Sequence, residues 1–219
     1  AAYLKAAAVL EKMFAKYPDH PGVAHYLIHS YDAPPIAAKG LPAARKYSGI
    51  APDAPHALHM PSHVFTRVGA WADSVTGNRR SADVAKKDGN GNEAYHAADY
   101  MVYASLQLGR NKAAREVLAE FDREVKTNPA IFVGPYAVAT IPARIALERG
   151  DWAAAARLAP QGSQFPFVEA ITSFSRALGA ARQGDVVAAE QEALRLEAQH
   201  KALLEAKNNY WATEVETQR

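Results

Sequence analysis

A glycine turn between two apolar-periodic segments recurs four times along this chain. The four turns are Val68-Gly69-Ala70-Trp71, Leu108-Gly109-Arg110-Asn111, Arg149-Gly150-Asp151-Trp152 and Gln183-Gly184-Asp185-Val186. Glycine suits a tight turn between helices because it readily adopts the left-handed backbone conformation and lets two helices approach closely. The glycines lie 40, 41 and 34 residues apart, which predicts a repeated helix–turn–helix unit.

The residues between these turns favour helices throughout the chain. Alanine is abundant, β-branched runs are few, and 49% of the 219 residues are apolar, enough for a sizeable core. The first segment places apolar residues every three or four positions before Pro18, at Tyr3, Ala7, Leu10, Phe14 and Tyr17. No segment alternates strictly between apolar and polar residues, as a half-buried strand does. We therefore predict an all-α fold.

These turns resemble those of the tetratricopeptide repeat family. The resemblance rests on apolar residues around a Leu-Gly turn, as in Leu106-Gln107-Leu108-Gly109, and on proline-containing turns at Tyr17-Pro18-Asp19, Ala51-Pro52-Asp53 and Asn128-Pro129. It implies antiparallel helix pairs stacked into a right-handed superhelix, with the first helix of each pair lining a concave groove. The repeats are near 40 residues, longer than the usual 34, and the stretch from Pro160 to Pro166 interrupts the fourth unit.

The resemblance predicts one domain with a short tail. Residues 1–207 are expected to form a single array of about five helix pairs, and residues 208–219 a C-terminal tail. Residues 1–17 look like the second helix of a repeat whose first helix is missing. We therefore expect upstream repeats of the same parent chain to pack against it.

Composition argues against several classes of site and partner. Without cysteine the chain has no disulfide, no cysteine-ligated metal and no thiol nucleophile. Its 25 Lys and Arg are balanced by 23 Asp and Glu, so no nucleic-acid partner is predicted. No apolar stretch approaches the roughly 18 residues that a membrane span needs. Phosphate-binding glycine loops and GxSxG nucleophile motifs are also missing from the sequence, which leaves nucleotide hydrolysis and serine-hydrolase chemistry without support.

Histidines are concentrated in the first half of the chain, where seven of the eight lie between residues 20 and 96. His56, His59 and His63 fall 13, 10 and 6 residues before Gly69. The same places before Gly109 hold His96, Asp99 and Tyr103. Steps of three and four residues put such side chains on one stripe of a helix. We therefore expect polar side chains in similar register on successive first helices.

Two histidine pairs have metal-ligand spacing. His25 and His29, like His59 and His63, are four residues apart, so each pair projects from one helical face. With Asp32, Asp99 and His96 nearby, the pairs could provide three or four ligands for zinc or another divalent transition metal. No glutamate follows the first histidine of either pair, so the HExxH motif of zinc proteases is missing.

Proline leaves two geometries open for this stripe. Pro61 and Pro142 each stand eight residues before a repeat glycine. An interior proline would kink the helix and turn the histidines inward. Alternatively, Pro61 begins a later helix and leaves His56 and His59 in a loop.

The histidine segments are also similar to a bacterial subgroup of tetratricopeptide proteins with HxxxHxxD and HxxHxxxH signatures. The matching residues run from His20 to Asp32 and from His56 to Phe65. This resemblance implies a longer parent that is often exported, which favours an exported or periplasmic location over a cytoplasmic one. It implies no particular reaction.

Two functions remain open from the sequence. The scaffold favours recognition rather than catalysis, with a groove that binds a peptide, a protein segment or a small ligand through His25, His29, His59, His63, His96, Asp99 and Tyr103. The alternative is a metal-binding protein or metal-dependent hydrolytic enzyme with His25, His29, His59 and His63 as ligands. In the enzyme, Asp99 or His96 would orient a ligand or act as a general base toward bound water. We rank recognition first because repeat scaffolds of this kind usually serve it.

Overall fold

The computed structural model describes residues 2–219, and every regular element in that range is helical. This confirms the predicted all-α class. The chain divides into two compact units, one up to Val125 and the other from Lys126 to Arg219. Across residues 2–219, none of the helices combines the length and apolar character that a bilayer span requires.

The first unit contains helices α1 to α8. Their bounds are α1 Ala2–Lys16, α2 Pro21–Tyr31, α3 Leu41–Ile50, α4 Pro55–His59, α5 Pro61–Val68, α6 Trp71–Lys87, α7 Gly91–Gln107 and α8 Asn111–Glu124, with a 3-10 helix at Ala37–Gly40. Helix α1 ends just before Pro18, as predicted from its apolar pattern.

An apolar cluster holds α2, α4 and α5 together. Ile28, Met60 and Val64 are completely buried within it. The backbone at Gly40 lies close to the side chain of Val64 on α5. A Cβ atom added to Gly40 would be only 2.9 Å from Cγ2 of Val64. These contacts fix the relative positions of the helices that carry most of the histidines.

The second unit contains helices α9 to α13. Their bounds are α9 Val133–Leu147, α10 Trp152–Ala156, α11 Pro166–Arg182, α12 Val186–Glu205 and α13 Asn209–Glu216. Helix α13 lies within the segment expected to be a tail, and its Ala212 and Val215 are buried. Trp211 stacks on Phe167 of α11, with ring centroids 4.1 Å apart and an interplanar angle of 3°. Residues 208–219 therefore contribute to the core of this unit.

All four repeat glycines adopt the left-handed conformation that the sequence predicts. Gly69 follows α5 with φ 76°, and Gly109 follows α7 with φ 72°. Gly150 and Gly184 have φ values of 65° and 79°. A side chain would strain the backbone at these positions, which explains why the turns carry glycine.

The two aligned prolines occupy different places in their helices. Pro61 is the first residue of α5, where its missing N–H costs nothing. The preceding Met60 keeps helical angles of φ −50° and ψ −38°, so α4 leads almost directly into α5. His56 and His59 therefore lie in a helix and not in a loop. Pro142, in contrast, lies inside α9.

Candidate metal centre

Six histidines of the first unit converge in two groups of three. Helix α2 carries His25 and His29, α4 carries His56 and His59, α5 carries His63 and α7 carries His96. We name His25, His29 and His56 the exposed triad, and His59, His63 and His96 the buried triad. Within each triad the ligand nitrogens all lie within 4.8 Å of one another, so either triad could hold a metal ion.

The other two histidines lie elsewhere. His20 is the N-cap of α2, where its Nδ1 accepts a hydrogen bond from the backbone N–H of Val23 at 3.4 Å. His200 lies on α12 of the second unit, with Nε2 3.5 Å from a carboxylate oxygen of Glu216.

His25 is the central member of the exposed triad. Its Nε2 lies 3.1 Å from Nε2 of His29, one turn along α2, and 3.2 Å from Nε2 of His56 on α4. The ring of Tyr47 stacks on His25 with centroids 5.8 Å apart. Three Nε2 atoms from two helices therefore converge at one place.

His59 is the central member of the buried triad and is 0% exposed. Its Nε2 lies 3.1 Å from Nε2 of His63, and its ring centroid lies 4.3 Å from that of His96. Tyr100 packs edge-on against His59, with centroids 4.7 Å apart. The central histidine of the triad is thus buried against Tyr100, whereas His63 and His96 are half-buried.

Asn78 on α6 decides which nitrogen of His59 carries the proton. The Asn78 Nδ2 group donates to the carbonyl of Ser74 at 2.7 Å, so Oδ1 faces His59. Nδ1 of His59 lies 2.7 Å from that Oδ1 and must donate to it. Helix α6 comes this close to α4 because residue 77 is glycine: a Cβ there would lie 3.2 Å from the carbonyl oxygen of Leu58.

Asp32 likewise determines which nitrogen of His63 carries the proton. Nδ1 of His63 lies 2.8 Å from Oδ2 of Asp32, while Nε of Arg67 donates to Oδ1 at 2.9 Å. Burial alone would raise the pKa of Asp32, but hydrogen bonds from His63 and Arg67 outweigh it and hold the pKa below its usual value. The ionised carboxylate can only accept, so Nδ1 of His63 carries a proton.

These two hydrogen bonds leave the facing nitrogens of the buried triad without protons when the rings are neutral. His59 and His63 then present Nε2 lone pairs to each other at 3.1 Å. Two lone pairs at that distance repel unless a cation, either a proton or a metal ion, lies between them.

Electrostatics disfavours the proton at several of these rings. Burial, reinforced by His96 and His63, lowers the pKa of His59 well below its usual value. Burial and the neighbouring histidines also lower the pKa of His96 and of His25 to about 4 each. Burial likewise lowers the pKa of His29. At pH 7 these rings are neutral imidazoles, the form that binds metal ions.

The spacing of the nitrogens fits metal coordination. Ligands about 2.0–2.1 Å from a tetrahedral zinc ion lie about 3.3 Å from each other. The Nε2 separations in the structure are 3.1 and 3.2 Å in the exposed triad and 3.1 Å between His59 and His63. Each of these three histidine pairs therefore has a nitrogen separation close to that of two ligands of one ion.

The structure brings together the predicted residues His25, His29, His59, His63 and His96. The predicted Asp99 is buried on α7 and belongs to neither triad. The predicted Tyr103 packs edge-on against Trp71, with centroids 5.6 Å apart. The structure adds His56, whose three-residue spacing from His59 was a usable signal, and Asn78, for which the sequence offered none.

Comparisons with known proteins found no protein-family model, no curated protein and no solved structure that matches this chain. The geometry of the two triads is therefore the observation from which we infer a function.

Proposed function

We propose that this protein binds a divalent transition metal at the buried triad, with His59, His63 and His96 as ligands. The observation that carries the proposal is the pair of Nε2 atoms of His59 and His63 that face each other at 3.1 Å. Histidines that bind metal ions usually donate their other N–H to a carboxylate, a carbonyl oxygen or water. Asp32 and Asn78 supply a carboxylate and an amide carbonyl in this position.

The donor set favours zinc, copper or nickel. All three ligands are imidazoles, whereas magnesium and calcium prefer oxygen ligands. Zinc is our first choice because the 3.1 Å between Nε2 of His59 and Nε2 of His63 is close to the ligand separation around a tetrahedral zinc ion.

Metal-dependent hydrolysis is the second candidate function. Three histidines leave one position of a tetrahedral ion open, as in catalytic zinc sites and unlike closed structural ones. A bound ion would lower the pKa of water at that position and make it a nucleophile near neutral pH.

The right-handed superhelix and the peptide-binding groove stay predictions from the resemblance to tetratricopeptide proteins. We now rank metal binding ahead of peptide binding, because a peptide groove has no need for facing, unprotonated imidazole nitrogens.

Metal analysis of tag-free protein tests the proposal. The full chain is stripped with a chelator, reloaded with zinc, cobalt(II) or copper(II), and analysed for bound metal by mass spectrometry. We expect stoichiometric metal in the wild type and intense visible bands in the cobalt(II) form, which report tetrahedral nitrogen coordination. His63→Gln and His96→Gln should lower the affinity at this site.

His200→Gln is the matched control, because it removes a histidine of the second unit that lies outside both triads. Failure of the folded wild type to retain any of these metals would contradict the proposal. Peptide-array binding that survives the histidine substitutions would favour the groove function instead.

A further inference from the structure

We propose that the exposed triad is a second metal site, and that Glu93 is the carboxylate that orients His56 toward its ion. The histidine face would then hold two neighbouring metal ions. This inference rests on the proposed function, because it takes the buried triad as the first site.

The exposed triad contains Nε2 contacts of the same length as the contact between His59 and His63 in the buried triad. Nε2 of His25 lies 3.1 Å from Nε2 of His29 and 3.2 Å from Nε2 of His56. His25 and His29 lie on α2, whereas His56 lies on α4. The four-residue spacing on α2 therefore does not account for the position of His56. An ion bound by all three Nε2 atoms would explain why α2 and α4 both present histidine here.

Glu93 has a buried oxygen that lacks a partner. Its Oε2 makes no hydrogen bond within the described part of the chain. The same atom lies 4.0 Å from Nδ1 of His56, which is too long for a hydrogen bond. Leaving a buried carboxylate oxygen unsatisfied is costly, so a missing interaction is expected at this atom.

A small movement of Glu93 would complete the pattern seen at the buried triad. If Oε2 moved about 1 Å closer, it would accept the Nδ1 proton of His56 at ordinary hydrogen-bond distance. Nε2 of His56 would then be unprotonated and free to bind an ion. Asp32 already stands in this relation to His63, at 2.8 Å.

Glu93 also has a structural role that is independent of orienting His56. It lies in the first turn of α7, where any carboxylate stabilises the helix through its dipole. That role needs a negative charge but no acceptor close to His56. The amide variant Glu93→Gln therefore distinguishes the two roles, because it loses the charge and keeps an acceptor oxygen.

The two triads are neighbours and differ in how firmly their ligands are held. Ring centroids of His29 and His63 lie 6.0 Å apart, and those of His56 and His59 lie 6.3 Å apart. In the buried triad, Nδ1 of His59 and Nδ1 of His63 have acceptors at 2.7 and 2.8 Å. The exposed triad has the looser contact of Glu93, so we infer a weaker second site.

Titration of the chelator-stripped full chain with cobalt(II) or copper(II) tests the second site. We expect two ions per chain in the wild type, bound in two steps of different affinity. His29→Gln should remove the weaker step and leave the stronger one unchanged. With two copper(II) ions bound, dipolar broadening of the electron paramagnetic resonance signal should report their proximity, and His29→Gln should sharpen it.

Glu93→Ala tests the orienting role. We expect it to weaken the second step by about 10- to 100-fold, as other losses of orienting groups do, and Glu93→Gln to lose much less. Asp73→Ala is the control, because it removes an acidic residue from the first turn of α6.

The outcomes separate this inference from the proposed function. One ion per chain, abolished by His63→Gln but not by His29→Gln, would overturn the second site and keep the first. No retained metal would overturn both. Equal second-site affinity in the wild type and in Glu93→Ala would overturn the role of Glu93.

Discussion

Oδ1 of Asn78 lies 2.7 Å from Nδ1 of His59, so an amide on α6 decides the protonation pattern of a completely buried histidine on α4. The amide nitrogen Nδ2 of Asn78 donates to the carbonyl of Ser74 in the same helix, which fixes the direction of the side chain. The lone pair of His59 is thereby aimed at His63. This arrangement pre-organises the site before any ion arrives.

Asn78→Leu should weaken metal binding at the buried triad by about 10- to 100-fold, because His59 loses the acceptor that orients it. The variant should also lose about 1–3 kcal/mol of stability, since the buried Nδ1–H of His59 is left without an acceptor. Metal titration and chemical denaturation measure the two effects. Ser81→Ala, which removes a different hydrogen bond of α6, should reduce stability without this loss of affinity.

Asp32→Ala should also weaken the buried site by about 10- to 100-fold, because Nδ1 of His63 loses its acceptor. Arg67→Gln removes the other partner of Asp32 and leaves the contact with His63, so the affinity should change little. Isothermal titration of both variants with zinc measures the difference. Equal losses in the two variants would show that the charge network, rather than the orientation of His63, controls affinity.

Zinc should raise the unfolding temperature of the chelator-stripped protein. At a free concentration about 100 times the Kd, binding adds about 2.7 kcal/mol, which corresponds to about 5–10 °C for a chain of this size. Differential scanning calorimetry measures the shift, and a chelator should reverse it. Calcium at the same concentration should have no effect, because the site offers nitrogen ligands.

Acidification should destabilise the metal-free protein between pH 6.5 and pH 4. The unfolded chain protonates its histidines near 6.5, whereas the folded pKa of His25 and His96 is about 4. The unfolded state therefore binds more protons across this window, and stability falls as the pH is lowered. The half-buried His96 should contribute on the order of 2–3 kcal/mol of this loss. Denaturation curves at several pH values measure it, and His96→Gln should flatten the dependence.

Trp211→Ala should destabilise the second unit by about 3–5 kcal/mol, because it removes the ring stacked on Phe167. The histidine triads lie in the first unit, so metal stoichiometry should stay unchanged. Chemical denaturation and metal analysis of the same preparation test both statements. An undiminished stability would mean that α13 contributes little to the core of this unit.

Much of the local structure could be predicted from the sequence. The left-handed turns at Gly69 and Gly109, the end of α1 before Pro18 and the all-α class follow from backbone preferences and apolar spacing. The place of α13 in the core of the second unit could not, because a short amphipathic segment does not reveal which surface covers it.

For the site, the sequence by itself determined which histidines share a helical face. The four-residue spacing of His25 and His29, and of His59 and His63, sets their Nε2 contacts, because one turn of helix brings such side chains together. Only the tertiary structure decided that His56 joins the triad of α2 while His59, on the same short helix, joins His63 and His96.

The acceptors of the buried triad also depend on tertiary structure. Asp32 reaches His63 from 31 positions away and Asn78 reaches His59 from 19. The physical reason is that helical periodicity fixes side-chain directions within one helix, whereas the packing of α2, α4, α6 and α7 sets how those helices face one another.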